Sequence, residues 1–267
     1  MGAGLPETTE ATTINKVCAS GLKAACLAAQ NIQLGQSSVE IAGGMESMSN
    51  VPFYLPRGVP AFGHLKMDDG LIKDGLWDVY GQIHMGNCAE NTAKKLSISR
   101  EEQDDYALES YRRAGAAWDA GVFKAEISPY DITTRKGTVT IDTDEEYKAV
   151  NPAKIRSLRP AFQKENGTVT AANASTFSDG ASALVLGSKE IAQEYGTGKE
   201  AVLARIVAYA DAATHPIDFP LAPTLSIPLA LKRAGLEASD ISIFEINEAF
   251  AAVSKAIEKV YSSTHLL

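Results

Sequence analysis

The chain contains 267 residues, of which 45% are apolar and 22% are charged, and its formal net charge is −8. This is the composition of an ordinary globular protein, and its acidic balance gives no support for a nucleic-acid partner or for binding to an anionic membrane. The three cysteines are too few and too dispersed for a disulfide framework, and no apolar run approaches the roughly 20 residues that a membrane helix needs.

The first ten residues, MGAGLPETTE, have neither a signal-peptide core nor an Arg-rich transit pattern. Together with the low cysteine content, this favours a reducing compartment. We therefore expect a cytoplasmic protein, with a mitochondrial location as the alternative.

The hydrophobic period changes at Cys18. Residues 12–17 are rich in β-branched side chains and predict a strand, whereas apolar residues recur at helical spacing over residues 22–32. Such a junction would place the Cys18 sulfur beside unpaired helix amides near Ser20 and Gly21, and these amides favour a thiolate. Cys18 is therefore a candidate nucleophile; the alternative is an ordinary buried cysteine.

A short second strand is predicted over residues 39–42, and it completes a βαβ unit. It runs into Gly43 and Gly44, where the backbone can approach a ligand or the reactive cysteine, or where the chain simply turns.

The composition then shifts towards Pro, Gly and charge over residues 50–179, which we interpret as an inserted domain. The elements predicted inside it are a helix over 86–96, a longer helix from the capping box of Ser99 and Glu102 to Gly121, and a surface hairpin around Lys136 and Gly137.

Strands and helices alternate again after the insertion. The predicted elements are a strand over 183–186, a helix over 188–195, a flexible connection over 196–198, a strand over 201–208, a helix over 224–234 ending at Gly235, a strand over 241–246 and a helix opening at Glu248. The second half thus begins to repeat the first. Cys18 and Asn247 each follow a predicted strand, where open α/β sheets bind their ligands.

Three motifs occur in a fixed order: VCASGLKA at 17–24, AGGMESMS at 42–49 and NEAF at 247–250. Together they resemble successive signatures of the thiolases, most closely the biosynthetic acetoacetyl-CoA thiolases, over residues 12–252. The resemblance implies the α/β thiolase fold, two related βαβαβ halves in α-β-α-β-α layers, here incomplete. We accordingly assign 1–49 and 180–198 to the N-terminal half, 50–179 to the inserted loop domain and 199–267 to the C-terminal half.

The resemblance also implies a reaction. Two acetyl-CoA molecules would condense to acetoacetyl-CoA, or the product would be cleaved by coenzyme A, through an acyl-enzyme on Cys18. Asn247 matches the asparagine that holds a water in one of the family's oxyanion holes, although a lone asparagine after a strand is more often a cap or turn residue. No covalently bound cofactor is expected.

Eleven positions match family residues near bound coenzyme A or its acyl group. Met85 would pack on the acetyl group, Ser175 would bind the pantetheine arm, and Lys154 would approach a phosphate. The full set is Leu76, His84, Met85, Tyr111, Ala149, Val150, Asn151, Lys154, Phe162, Ser175 and Phe250. Read singly, the apolar members would be core residues and Lys154 a solvated lysine.

The resemblance further implies a potassium ion, held by Tyr111 and by the backbone carbonyls of Ala171, Ala172 and Ala174. It also implies a homodimer or homotetramer as the assembly. The four histidines show no metal-ligand spacing.

Two family segments do not occur in the sequence: the Gly-His-Pro segment, whose histidine activates the nucleophile, and the Cys-x-Gly-Gly-Gly segment, whose cysteine is the α-carbon base. His265 has no Gly-Pro context and is not taken as a substitute. We therefore expect a truncated thiolase with little activity of its own. The alternatives are a non-catalytic acyl-CoA-binding or oligomer-interface fragment, and a thiolase branch that acts on longer acyl chains.

Overall fold

The computed structural model describes residues 2–58, 62–196 and 202–263. The chain forms two compact units. The first unit combines Met1–Gly75 with Phe177–Tyr209, and the second combines Leu76–Thr176 with Ala210–Leu267. Our division into two halves and an inserted domain follows other boundaries and stays a prediction.

Helices and short strands alternate along the chain. The helices are α1 (Ser20–Gln33), α2 (Met85–Lys95), α3 (Arg100–Asp119), α4 (Glu146–Ala149), α5 (Pro152–Ile155), α6 (Lys189–Tyr195), α7 (Pro223–Ala234) and α8 (Ala251–Ser263). The strands are β1 (Val39–Ser47), β2 (Phe53–Tyr54), β3 (Asp68–Asp69), β4 (Trp77–Asp78), β5 (Ile83–His84), β6 (Tyr130–Thr134), β7 (Gly137–Ile141) and β8 (Asp179–Gly187). None of the described helices is both long and apolar enough to cross a membrane.

The first unit is built on an antiparallel pair, β1 and β8, in register from Val39 opposite Gly187 to Ser47 opposite Asp179. Helix α1 packs on β1 through glycines. A Cβ added to Gly44 would lie 3.2 Å from the Cα of Gly21, which is tighter than ordinary packing allows. The absence of side chains at this crossing therefore brings the first turn of α1 directly onto the strand.

Three predicted strands are not formed in the described residues. The only bridge at 12–17 joins Lys16 to Cys18, and Val17 adopts a positive φ of 51° that ends any extended run. Residues 202–208 and 241–246 carry no strand ladder in the described chain. A strand exists only by pairing, and the described segments offer these three no partner. Residues 197, 198 and 201 of the predicted connection and strand lie outside the described residues.

The predicted helices and the hairpin are confirmed. Ser99 and Glu102 form the reciprocal capping box of α3, and Gly121 follows its end at a left-handed φ of 70°. Strands β6 and β7 pair around the predicted turn, and Gly235 ends α7 at a φ of 69°. The last helix is a partial exception, because α8 begins at Ala251 and not at Glu248.

The core of the second unit lies between α2, α3 and α8. Its buried apolar residues come mainly from α2 and α8, and the others lie in the turn between α2 and α3, at residue 169 and just before α8. They are Ala89, Ala93, Ile98, Val169, Phe250, Ala252, Val253, Ala256, Ile257 and Tyr261. Small alanines on facing helices let the helix axes approach closely, so the core holds α2 and α8 at a fixed separation.

A buried ion pair extends this core. Asp104 is 1% exposed and accepts hydrogen bonds from Arg100 Nε at 2.7 Å and from Asn173 Nδ2 at 2.9 Å. Arg100 also donates to the carbonyl oxygens of Ile155 and Leu158, at 3.0 and 3.1 Å. Asp104 and Arg100 together therefore tie α3 to the loop of Asn173 and to residues 155–158.

Helix α2 is capped by a histidine. His84 Nδ1 accepts the Gly86 backbone N–H at 3.0 Å, and burial lowers the pKa of His84 below its ordinary value of 6.5. Nδ1 can accept a hydrogen bond only while it is unprotonated, so both observations describe a neutral imidazole at neutral pH.

We predict that Asp104→Ala lowers the free energy of unfolding by about 3–5 kcal/mol, because the half-buried Arg100 and the buried Asn173 both lose the carboxylate that accepts from them. The neighbouring Asp105 provides the control, since its pair with Arg156 is exposed. Asp105→Ala should cost less than about 1 kcal/mol. Urea denaturation measures both, and equal losses would contradict the structural assignment.

We also predict a pH dependence from His84. Its pKa is lower in the folded chain than in the unfolded chain, so the folded state binds fewer protons and stability falls as the pH falls through that window. Asparagine caps a helix at any pH. The unfolding free energy of His84→Asn should therefore fall less than that of the wild type between pH 7 and pH 5. Parallel pH profiles in chemical denaturation would refute the prediction.

Candidate active site

Cys18 lies in the first unit, two residues before α1, and its thiol is free and exposed. The turn that presents it is fixed by side chains on both sides. Asn15 Oδ1 accepts the Val17 N–H at 2.8 Å, and Ser20 Oγ donates to the Val17 carbonyl at 2.7 Å while it accepts the Lys16 N–H at 2.8 Å. These bonds hold Val17 in its left-handed conformation, which costs a β-branched residue of order 1–3 kcal/mol.

One detail of the predicted thiolate environment is wrong. The Ser20 N–H, expected to be unpaired, donates to the Val17 carbonyl at 3.1 Å. The turn needed to place Cys18 at the helix start uses that amide, so it is not available to the thiolate.

The glycine pair predicted to allow close approach does so in two directions. Gly44 meets Gly21 of α1, as described above, and a Cβ on Gly43 would lie 2.9 Å from the Ser182 carbonyl oxygen. A shallow cavity of 440 Å³ lies over this part of the sheet, lined by Gly43, Gly44, Met45, Ala181, Ser182 and Ala183. Apart from Met45, its lining residues are small, which leaves room for close approach by a ligand.

All the other predicted site residues lie in the second unit. Four of them meet at the start of α2. The His84 and Phe162 rings stack with centroids 4.8 Å apart, Phe162 meets Phe250 edge-on at 6.3 Å, and Met85 packs against the same core. Gly86 is essential to the arrangement, because a Cβ there would lie 2.2 Å from the Phe162 ring. The result is an apolar, aromatic surface with one polar edge.

Ser175 and Ala174 join this cluster through the backbone. The Ser175 N–H donates to the Ala249 carbonyl at 2.9 Å, and the Ala251 N–H donates to the Asn173 carbonyl at 2.8 Å. These two bonds form a bridge that sets Ala174 opposite Phe250. They also occupy the backbone of residues 249–251, which explains why α8 starts later than predicted.

Asn247 is exposed and lies on the segment that enters this bridge. The next residue, Glu248, binds α3 with both carboxylate oxygens, accepting from Tyr106 Oη at 2.7 Å and from Ser110 Oγ at 2.6 Å. Burial and the neighbouring carboxylate raise the pKa of Tyr106 to about 12, so its hydroxyl stays a donor. The segment that carries Asn247 is therefore held at two places, by the backbone bridge of residues 249–251 and by the bonds of Glu248 to α3.

The predicted coenzyme A contacts after the hairpin are mostly on the surface. Ala149, Asn151 and Lys154 are exposed, and Val150 is half-buried. Asn151 caps α5 by accepting the Ala153 N–H at 3.1 Å. Leu76 is half-buried in the second unit.

The predicted potassium ligands include one hydroxyl and three carbonyls. Tyr111 Oη donates to Glu146 Oε1 at 3.5 Å. Burial raises the pKa of Tyr111, and the nearby Glu146 carboxylate raises it further. Ala172 and Ala174 flank Asn173, which is 3% exposed, whereas Ala171 is exposed. No group of three or more His, Cys, Asp or Glu side chains in the described part of the chain could hold a metal ion.

Two carboxylates that hold site segments in place, Glu90 and Glu248, were not predicted from the sequence. For Glu90 there was a signal, because this charged residue falls among small residues on a helix face that otherwise predicts burial, beside Ala89 and Ala93. For Glu248 there was none, since its partners on α3 lie far away in sequence.

Two family models match the chain: the thiolase N-terminal domain over residues 1–190 and the thiolase C-terminal domain over residues 200–264. Among similar curated proteins, the mitochondrial acetyl-CoA acetyltransferase of Gibberella zeae is 62% identical over 97% of this chain and 60% of its own length. That of Rattus norvegicus is 58% identical over 95% of this chain and 59% of its own length. The chain therefore spans about 60% of the length of the curated relatives it matches.

Solved structures give the same result. The Acat5 thiolase of Ascaris suum in complex with coenzyme A matches with a TM-score of 0.88 and 43% identity, over 97% of this chain and 66% of that one. Human mitochondrial 3-ketoacyl-CoA thiolase matches with a TM-score of 0.91 and 37% identity, over 98% of this chain and 66% of that one. The predicted α/β thiolase fold is confirmed, and the chain belongs to the thiolase family.

Proposed function

We propose that this chain carries the acyl-accepting half of an acetyl-CoA acetyltransferase, with Cys18 as the nucleophile. The observation that supports the proposal most is the exposed Cys18 thiol, held by a strained Val17 at the start of α1. Strained residues that present an exposed side chain at the entrance of a helix are typical of nucleophile sites. The curated relatives named above are acetyl-CoA acetyltransferases.

The first half-reaction needs few groups. The Cys18 thiolate attacks the acetyl carbonyl carbon of acetyl-CoA, a new C–S bond forms, and the coenzyme A thiolate leaves. In the second half-reaction, a base removes a proton from the methyl group of another acetyl-CoA. The resulting carbanion attacks the acetyl-enzyme, which releases acetoacetyl-CoA and regenerates the thiolate.

The residues of the second unit support thioester binding. Met85, Phe162 and Phe250 offer an apolar surface for the acyl group, and Ser175 lies at the bridge beside it, as a pantetheine contact would. Asn247 would hold the water of an oxyanion site. Leu76, Tyr111 and the exposed stretch of Ala149, Val150, Asn151 and Lys154 complete the proposed coenzyme A contacts, and His84 edges the aromatic cluster.

The activity of these 267 residues by themselves should be low. Each missing base costs on the order of 10²- to 10⁴-fold in rate, and the Gly-His-Pro and Cys-x-Gly-Gly-Gly segments that would supply the two bases do not occur in the sequence. The proposal is therefore a slow acetylation of Cys18, with condensation or thiolysis belonging to a protein of the length of the relatives.

Four finer assignments accompany the proposal. Names of the relatives favour a mitochondrial location over the cytoplasmic one expected first. A homodimer or homotetramer and a role in lipid metabolism follow from the family likeness. Potassium would bind at Tyr111 and the carbonyls of Ala171, Ala172 and Ala174, where it would screen negative charge near the coenzyme A contacts.

A thiolase for longer acyl chains is the second candidate, because the human 3-ketoacyl-CoA thiolase superposes with a TM-score of 0.91. The sequence identities favour the first candidate, since the curated acetyltransferases reach 55–62% and that structure 37%.

We predict that incubation with acetyl-CoA adds the mass of one acetyl group to the chain, and that peptide mapping by mass spectrometry places it on Cys18. Cys18→Ala should abolish the adduct. Cys26→Ala, which removes a partly buried cysteine from α1, should leave it unchanged. A protein shown to be folded by circular dichroism that gains no adduct would refute the proposal and leave the acyl-CoA-binding fragment as the better description.

We further predict that Gly86→Ala weakens coenzyme A binding by about 10-fold or more, because the new Cβ displaces the Phe162 ring from its stack on His84. Gly115→Ala is the matched control, since its Cβ would lie 3.5 Å from the Tyr147 ring, an ordinary contact. It should leave binding unchanged and stabilise α3 by about 0.5–1 kcal/mol. Isothermal titration calorimetry and urea denaturation measure the two effects, and unchanged binding in Gly86→Ala would exclude the aromatic cluster from the site.

A further inference from the structure

Glu90 is a buried carboxylate to which the proposed chemistry gives no role. It is 4% exposed on α2, and it accepts the Thr168 N–H with both oxygens at 2.9 Å, the Val169 N–H at 2.9 Å and the Thr168 hydroxyl at 2.8 Å. No Lys, Arg or His side chain within the described ranges forms an ion pair with it. Backbone and hydroxyl donors of Thr168 and Val169 therefore stabilise the buried carboxylate. Moving these donors would leave it without hydrogen bonds, so their positions are tightly constrained.

The position of Glu90 on α2 connects it to the aromatic cluster. Glu90 lies one helical turn after Gly86, the residue whose missing side chain seats the Phe162 ring. The Val169 carbonyl, on the residue that Glu90 binds, accepts the Ala161 N–H at 2.8 Å. One face of α2 thus fixes Phe162 twice, once through the ring and once through the backbone beside it.

The same segment continues to Ser175. Asn173 accepts the Thr170 N–H at 2.7 Å and donates to the Thr168 carbonyl at 3.0 Å, which closes a compact loop. The loop then pairs with residues 249–251 through the bonds of Asn173 and Ser175 described above. A displacement at Thr168 would therefore move Phe162, Ser175 and the segment that follows Asn247.

We infer that Glu90 is a positioning residue for coenzyme A binding. It acts through Thr168 and Val169, and holds Phe162 and Ser175 where the acyl group and the pantetheine arm would lie. The inference rests on the proposed function, because the assignment of Phe162 and Ser175 to the coenzyme A site belongs to it.

The test compares Glu90→Gln with Glu165→Gln, which removes the same charge from an exposed position three residues before Thr168. A side-chain amide in place of the Glu90 carboxylate cannot accept all the donors of Thr168 and Val169 at once, because its nitrogen only donates. We expect Glu90→Gln to weaken coenzyme A binding by about 10-fold in calorimetry and to speed hydrogen exchange over residues 168–175. Glu165→Gln should change neither.

Thr168→Val is the milder variant if Glu90→Gln fails to fold. It removes only the hydroxyl contact with Glu90, and should weaken binding by about 2- to 5-fold, with Thr138→Val at an exposed position of β7 as its control. Folded variants that lose stability but bind coenzyme A as tightly as the wild type would overturn the inference and leave the proposed function intact. A wild-type chain that does not bind coenzyme A at all would overturn both.

Discussion

The buried hydrogen bond between Asp104 and Asn173 is the constraint on which the second unit most depends. Asn173 is where a loop from the middle of the chain meets the segment before α8, and it would be costly to bury without its partners. The carboxylate fixes the amide, the amide closes the loop, and the loop pairs with residues 249–251. The position of the proposed acyl surface therefore depends on these buried hydrogen bonds as well as on apolar packing.

The first unit uses a different device to present Cys18. Gly21 and Gly44 let α1 pack on β1 by backbone contact. The hydrogen bonds of Asn15 and Ser20 hold Val17 at a positive φ, which is unfavourable for a β-branched residue. Both features fix the position of Cys18, although glycines and a left-handed valine each lower the local stability of the chain. A packed glycine crossing and a strained valine on either side of one thiol are difficult to explain for an ordinary core cysteine, which would be buried.

Local signals predicted the helices well, because caps and glycines act within a few residues. The Ser99 and Glu102 capping box, the hairpin at Gly137 and the left-handed Gly235 all lie where the sequence indicated. The predictions of strands at 12–17 and 241–246 were wrong, because a β-branched run favours extended backbone but forms a strand only where it pairs with another strand. The role of Glu248 could not be predicted, since it meets Tyr106 across 142 positions of sequence.

The two-stranded sheet of the first unit also has a consequence for handling the protein. Met45 on β1 and Val185 on β8 are 74% and 76% exposed, and their neighbours Ile41 and Leu184 are about half exposed. Apolar strands with open edges template intermolecular pairing. This sheet is therefore a surface through which copies of the chain can associate by strand pairing.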